Sequence, residues 1–259
     1  RKPSKNGWRI IVLQNYGKVA YWVAILQSSY GEFMSTHLHF IVEGQTERQF
    51  IHEIIIPHLY SFGIQGIVQI ITTSIHSKTF RGGVGTYTQI QKNIRNGLSR
   101  KDCYVTTMFD LYGLPHDTPG NQMITDSMSG KEKVIVLEAS ISEDISNRRF
   151  IPHIQLYEYE TLLFSDIYAI DNVIGINSPS QKEKLQEIIR IAGEPEKIND
   201  NPNTAPSKRL HHVYPSYQKN PHNILIIKKI PLDHIRSTCP HFNSWLTTLE
   251  QLPPLLGEP

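Results

Sequence analysis

Two acidic residues stand where apolar runs end. Glu43 follows His39-Phe40-Ile41-Val42, and Asp110 follows Tyr104-Val105-Thr106-Thr107-Met108-Phe109. A further pair, Glu158 and Glu160, comes after Phe150-Ile151-Pro152-His153-Ile154-Gln155-Leu156. Glu47 lies four residues past Glu43, close enough to face the same ion from the first turn of a helix. A carboxylate at the edge of a core is costly unless a cation or hydrogen-bond donors meet it. In open α/β sheets, sites gather at the carboxyl ends of strands. Mg²⁺ takes oxygen ligands, commonly one or two carboxylates together with phosphates and water. Paired metals can clamp both oxygens of a phosphodiester in displacement. The expected chemistry is therefore phosphate chemistry at a shared Mg²⁺ or Mn²⁺ site.

Each acid also has an ordinary explanation. Glu43 and Asp110 could accept backbone N–H groups, and Glu47 would favour the dipole of a helix start. Glu158 and Glu160 share one face if they lie on a strand and diverge if they lie on a helix.

The elements that would position these acids read as an alternation. Strands are expected over residues 37–43, 68–73, 103–110 and 150–157. Phe50, Ile51, Ile54, Ile55 and Leu59 recur at helical spacing, which predicts a helix over 46–61, with Gly44 turning the chain and Thr46 as its cap. Gly63 and Gly66 should end it. Further helices are predicted over 84–98 and 131–145, and helical pieces over 180–192, 206–217 and 240–250. Strand–helix alternation through about residue 165 is the pattern of parallel βαβ units. The expected fold is α/β, with a mostly parallel central sheet flanked by helices and a helical C-terminal part. Residues 1–33 read as an N-terminal extension, 34–170 as the α/β core and 171–259 as a helical region packed on it.

Composition narrows the setting. A length of 259 residues and 39% hydrophobic content support a sizeable core. The formal charge of +2 rules out a general basic coat, so nucleic acid would need a local patch. Candidates are Lys78 and Arg81 beside Gly82-Gly83, and Lys208 with Arg209 at a predicted helix start. Lys78, Arg81, Lys92, Arg95 and Arg100 could form a strip, although solvated helix charges look the same. Cys103 and Cys239 set no disulfide framework, which points to a reducing cytoplasm. The early apolar run Val19–Leu26 is too short to span a bilayer, so no membrane partner is expected. Neither a Gly-x-Ser-x-Gly nucleophile pattern nor a Walker phosphate loop occurs.

Phe40-Ile41-Val42-Glu43-Gly44, followed by Thr46-Glu47, resembles the first motif of Toprim domains, especially those of OLD-type (overcoming lysogenization defect) nucleases. Phe80-Arg81-Gly82-Gly83, Asp110-Leu111-Tyr112-Gly113-Leu114-Pro115, Glu158-Tyr159-Glu160-Thr161-Leu162-Leu163-Phe164 and Cys239-Pro240-His241-Phe242 resemble a bacterial family of undetermined function grouped with Toprim-like proteins. The resemblance implies a Toprim-like Rossmannoid core. It implies metal ligation by Glu43, Glu47, Asp110, Glu158 and Glu160, and catalysis by Glu43, Asp110, Glu160 and Lys208. It also implies a nuclease acting on DNA more than RNA and an ATPase partner subunit in phage defence; apart from the resemblance, a homo-oligomer is a further expectation. One departure stands out: Tyr112 occupies the place of the second acid of an Asp-x-Asp, which leaves Asp117 or water to fill it. Two other readings stay open, a non-catalytic interaction subunit and a small phosphoesterase.

Overall fold

The computed structural model describes residues 36–71, 85–175, 179–198 and 204–255. The expectations for residues 1–33, Lys78 and Arg81 lie outside the described residues. The described residues begin with β1 (Thr36–Val42) and a helical stretch made of α1 (Gln45–Phe50), a π segment (Ile51–Ile55) and α2 (Ile56–Tyr60). Its N-cap is Gly44, with no side-chain cap, so Thr46 does not play that part. The π segment has a local cause. Pro57 has no N–H, and its ring would crowd a carbonyl one turn back in a regular helix.

β2 (Ile64–Ile70) runs parallel to β1 and starts earlier than residue 68. Gly66 lies inside this strand instead of breaking a helix. A Cβ there would stand 2.6 Å from Ile56 Cγ1, so the helix packs where only glycine fits. Next come α3 (Tyr87–Leu98), β3 (Cys103–Asp110) and α4 (Gly130–Ile145). A reciprocal capping box of Ser129 and Glu132 fixes the start of α4. The predicted fourth strand is two short pieces, β4 (Phe150–Ile151) and β5 (Ile154–Gln155), because Pro152 cannot donate to a ladder.

All strand pairings are parallel, in the order β2-β1-β3-β4, with β5 also on β3. The remaining chain is helical: a 3₁₀ stretch Tyr159–Ser165, then α5 (Ile167–Ile174), α6 (Pro179–Ala192), α7 (Pro206–Val213), α8 (Lys219–Ile227), α9 (Leu232–Thr238) and α10 (Pro240–Glu250). Three of these, α5, α8 and α9, were not among the predicted pieces. Among the described residues no helix is long and apolar enough to cross a membrane.

The period-two alternation of β1 builds two cores. Leu38, Phe40 and Val42 pack with Phe50, Leu59 and the C-terminal helices through Phe242 and Leu246. Ile41 faces the other way, with Val105 and Phe109, onto α3 and α4 through Ile94 and Leu137. With both faces covered, only the strand ends remain for polar side chains.

Candidate metal centre

β1 and β3 are neighbours in register, Val42 opposite Met108, so both strands end at the same edge. Glu43 leaves β1 there and Asp110 is the last residue of β3. Glu47 sits in the first turn of α1 and is buried. Glu158 and Glu160 lie on neither a strand nor an α-helix. Glu158 is the extended residue before the 3₁₀ stretch, and Glu160 is inside it and buried.

These five carboxylates act on one another. Burial raises the Glu43 carboxyl above its usual range and the charges of Glu158 and Glu160 add to this, while the Asp110 N–H and Lys219 oppose it. Burial, then the charges of Glu43 and Glu160, push Glu47 up to about 7. Asp110 is raised well above the carboxylate range by desolvation and by Glu47, Glu43 and Glu160. Charge is thus crowded beyond what the local donors neutralise.

Donors hold three of the acids in place. Tyr159 N–H donates to Asp110 Oδ1 at 2.8 Å, and Ser207 N–H to Glu158 Oε2 at 3.0 Å. Glu160 Oε1 accepts from Asn223 Nδ2 at 2.9 Å and from the Tyr217 hydroxyl at 3.3 Å. Lys219 Nζ lies 3.2 Å from Glu160 Oε2. Burial works against its charge, but Glu160, Glu158 and Asp110 outweigh this, and the ammonium is held above the ordinary lysine value. The turn after β3 closes over Glu43, where a Cβ on Gly113 would come within 2.2 Å of Glu43 Oε2.

The predicted acids therefore come together, and the predicted lysine does not join them. Lys208 is exposed and lines, with Lys184, Arg209 and His212, a cavity of about 930 Å³ between α6 and α7. Arg209 donates to the Thr204 carbonyl at 2.8 Å. Among the described residues the cation at the carboxylates is Lys219, which the sequence reading missed, as it missed Tyr217 and Asn223. One signal was available: a lysine directly before Asn220-Pro221 at a helix start, where the dipole disfavours positive charge. Asp117 Oδ1 accepts the Tyr87 N–H at 3.0 Å and so caps α3. Tyr112 pairs its ring with Tyr157 at 5.7 Å. Arg95 is tied to the Asp144 carbonyl and Arg100 to Asp102, so these two members of the basic strip hold the structure.

This donor set fits a hard divalent cation. It is all oxygen, it outnumbers its one lysine, and Glu43 Oε2 is buried with no hydrogen-bond partner. Glu43, Asp110 and Glu158 are only half-buried, so an ion can reach them.

Fold and site together define a parallel α/β domain with an acidic centre at its strand ends. Residues 42–250 match the family described as Domain of unknown function (DUF4276), and the chain belongs to that family. The matched stretch contains all five acids and Lys219. No curated protein and no solved structure matches the chain.

Proposed function

We propose that this chain is a Toprim-like, Mg²⁺- or Mn²⁺-dependent nuclease that hydrolyses phosphodiester bonds. The observation that carries this reading is that Glu43, Glu47, Asp110, Glu158 and Glu160 feel one another's charge at one end of the sheet, with one buried Glu43 oxygen unpartnered and Lys219 as the local cation. Glu43, Asp110 and Glu160 would hold the ion, with Glu47 and Glu158 assisting. When bound, the ion supplies Lewis-acid activation and neutralises phosphate charge. Lys219 is placed to steady charge that develops on the phosphate. Glu47, which burial and its acidic neighbours push up to about 7 in the metal-free site, would be the acid to accept a proton from the attacking water.

DNA is the favoured substrate over RNA. The kinship to OLD-type nucleases and the ATPase partner in phage defence belong to this same proposal and rest on sequence resemblance; the cytoplasmic setting rests on the two cysteines, and self-association is part of the same proposal. A second reading, a Toprim-fold interaction subunit without catalysis, is favoured by the Tyr112–Tyr157 ring pair where a second acid is expected. Plasmid nicking with Mg²⁺ or Mn²⁺ separates the two. Cleavage by the wild type that is lost in Glu43→Ala and Asp110→Ala supports the nuclease. Cleavage unchanged in both variants removes the metal centre from the chemistry. No cleavage by the wild type, alone or with an ATPase partner, favours the interaction subunit.

A further inference from the structure

Away from the five acids, three side chains of different elements converge: Glu138 from α4, His153 from the β4–β5 link and His241 from the start of α10. Their ligand atoms all lie within 4.8 Å of one another. Glu138 Oε1 is 3.0 Å from His241 Nε2 and 3.8 Å from His153 Nδ1. His153 is fully buried, and neither ring nitrogen has a hydrogen-bond partner. Its ring stacks on Trp245 at 4.3 Å and on His241 at 5.0 Å.

We propose that Glu138, His153 and His241 form a transition-metal site selective for a Zn²⁺-class cation. Leaving a buried imidazole unpaired costs about 1–3 kcal/mol, so a fully buried His153 with two idle nitrogens needs a reason to be there. A cation that takes a lone pair supplies one. Two nitrogens and one carboxylate oxygen suit Zn²⁺ or Co²⁺, whereas Mg²⁺ prefers oxygen alone. Zinc bonds of about 2.0–2.1 Å place tetrahedral ligand atoms about 3.3–3.4 Å apart. The observed 3.0 and 3.8 Å straddle that spacing, and the stacked His153 and His241 rings would turn to aim both nitrogens at one ion.

The surroundings are already fixed. Ile154 N–H donates to Glu138 Oε1 at 2.7 Å and orients the carboxylate. Thr107 anchors the His153 backbone, donating to its carbonyl and accepting its N–H. Glu196 accepts the N–H groups of His241 and Phe242, setting the start of α10. Such outer partners aim ligands at a metal. Three protein ligands leave a fourth position for water or a further donor. Bound metal would tie α4 and α10 to the end of the sheet.

The test is zinc retention by the full chain after dialysis with excess Mg²⁺, read by metal analysis, together with the visible spectrum of the Co²⁺-loaded protein. The wild type and Glu43→Gln are expected to keep one zinc per chain and to give intense tetrahedral Co²⁺ bands. Losing an outer partner already weakens metal binding about 10–100-fold, so Glu138→Gln and His241→Asn should lose at least that much. Failure of the carboxylate centre would instead appear in Glu43→Gln as lost Mg²⁺-dependent cleavage with zinc retained. Zinc absent from the wild type, or held equally by Glu138→Gln and His241→Asn, overturns the proposal. If either variant misfolds, the wild-type Co²⁺ spectrum decides alone: weak octahedral bands overturn the site.

Discussion

Lys219 Nζ stands 3.1 Å from Glu160 Oε1 and 3.2 Å from Oε2, so one ammonium serves both oxygens of a buried carboxylate. On the proposed function, Lys219→Ala lowers Mg²⁺-dependent cleavage about 100-fold, the scale of removing one charge-stabilising group. Lys219→Arg should restore part of it. Glu160 is buried, so Lys219→Ala should also lower the melting temperature by leaving that carboxylate without its ammonium, whereas Lys219→Arg should keep it. Equal cleavage by Lys219→Ala and the wild type would count against a role for this lysine.

Without a cation, Glu47 makes stability depend on pH. Its carboxyl moves from 4.5 to about 7 on folding, so between those values the folded chain binds more protons than the unfolded one. The Glu47 contribution is therefore full below the unfolded value and falls as pH rises through this window, by about 3 kcal/mol for this group. Chemical denaturation between pH 5 and 8 in EDTA should show the fall. Glu47→Gln should make the fall shallower without abolishing it, because Glu43 and Asp110 are raised in the same direction, and Mg²⁺ should reduce it in the wild type.

Two glycines should separate activity from folding. In Gly113→Ala the new methyl meets Glu43 Oε2, so cleavage should collapse with a moderate loss of stability. In Gly66→Ala the methyl meets Ile56 and Phe40, which should cost about 1–3 kcal/mol of stability. Cleavage per folded molecule should be unchanged there. Activity assays paired with melting curves read both.

Trp245 Nε1 donates to buried Thr106 Oγ1 at 2.8 Å. Trp245→Phe keeps a ring but removes the donor, and should cost about 1–3 kcal/mol in denaturant unfolding. A stability within error of the wild type would show that this bond does not lock α10 to β3.

What the sequence reveals here follows from what periodicity measures. Runs such as Phe40-Ile41-Val42 and Val105 to Phe109 report burial on both faces, so β1 and β3 and the acids that end them could be read directly. The whole of α10 could be read too, because Pro240 starts it and its apolar residues repeat at helical spacing. Lys219 left only the faint signal of a lysine at a helix start, since its pairing with Glu160 depends on how α8 packs against α1 and the 3₁₀ stretch. Glu158 and Glu160 were ambiguous because a 3₁₀ stretch has neither the strand nor the helix period. Gly66 looked like a breaker because its reason is a neighbour, Ile56, and not its own backbone.

The widened turn at Ile51–Ile55 acts on the helix as a phase correction. Glu47, Ile51, Ile55 and Leu59 are all buried, a strict repeat of four. On an unbroken α-helix that repeat drifts about 40° at each step and would spiral off the core. One slower turn takes back much of the drift and keeps the four residues near a single line. The bearing of Glu47 toward the other acids is thus set partly by Pro57, far along the helix and remote from any chemistry. Pro57→Ala would let the helix rewind and swing the carboxylate aside, an effect at the centre from a residue that never touches it.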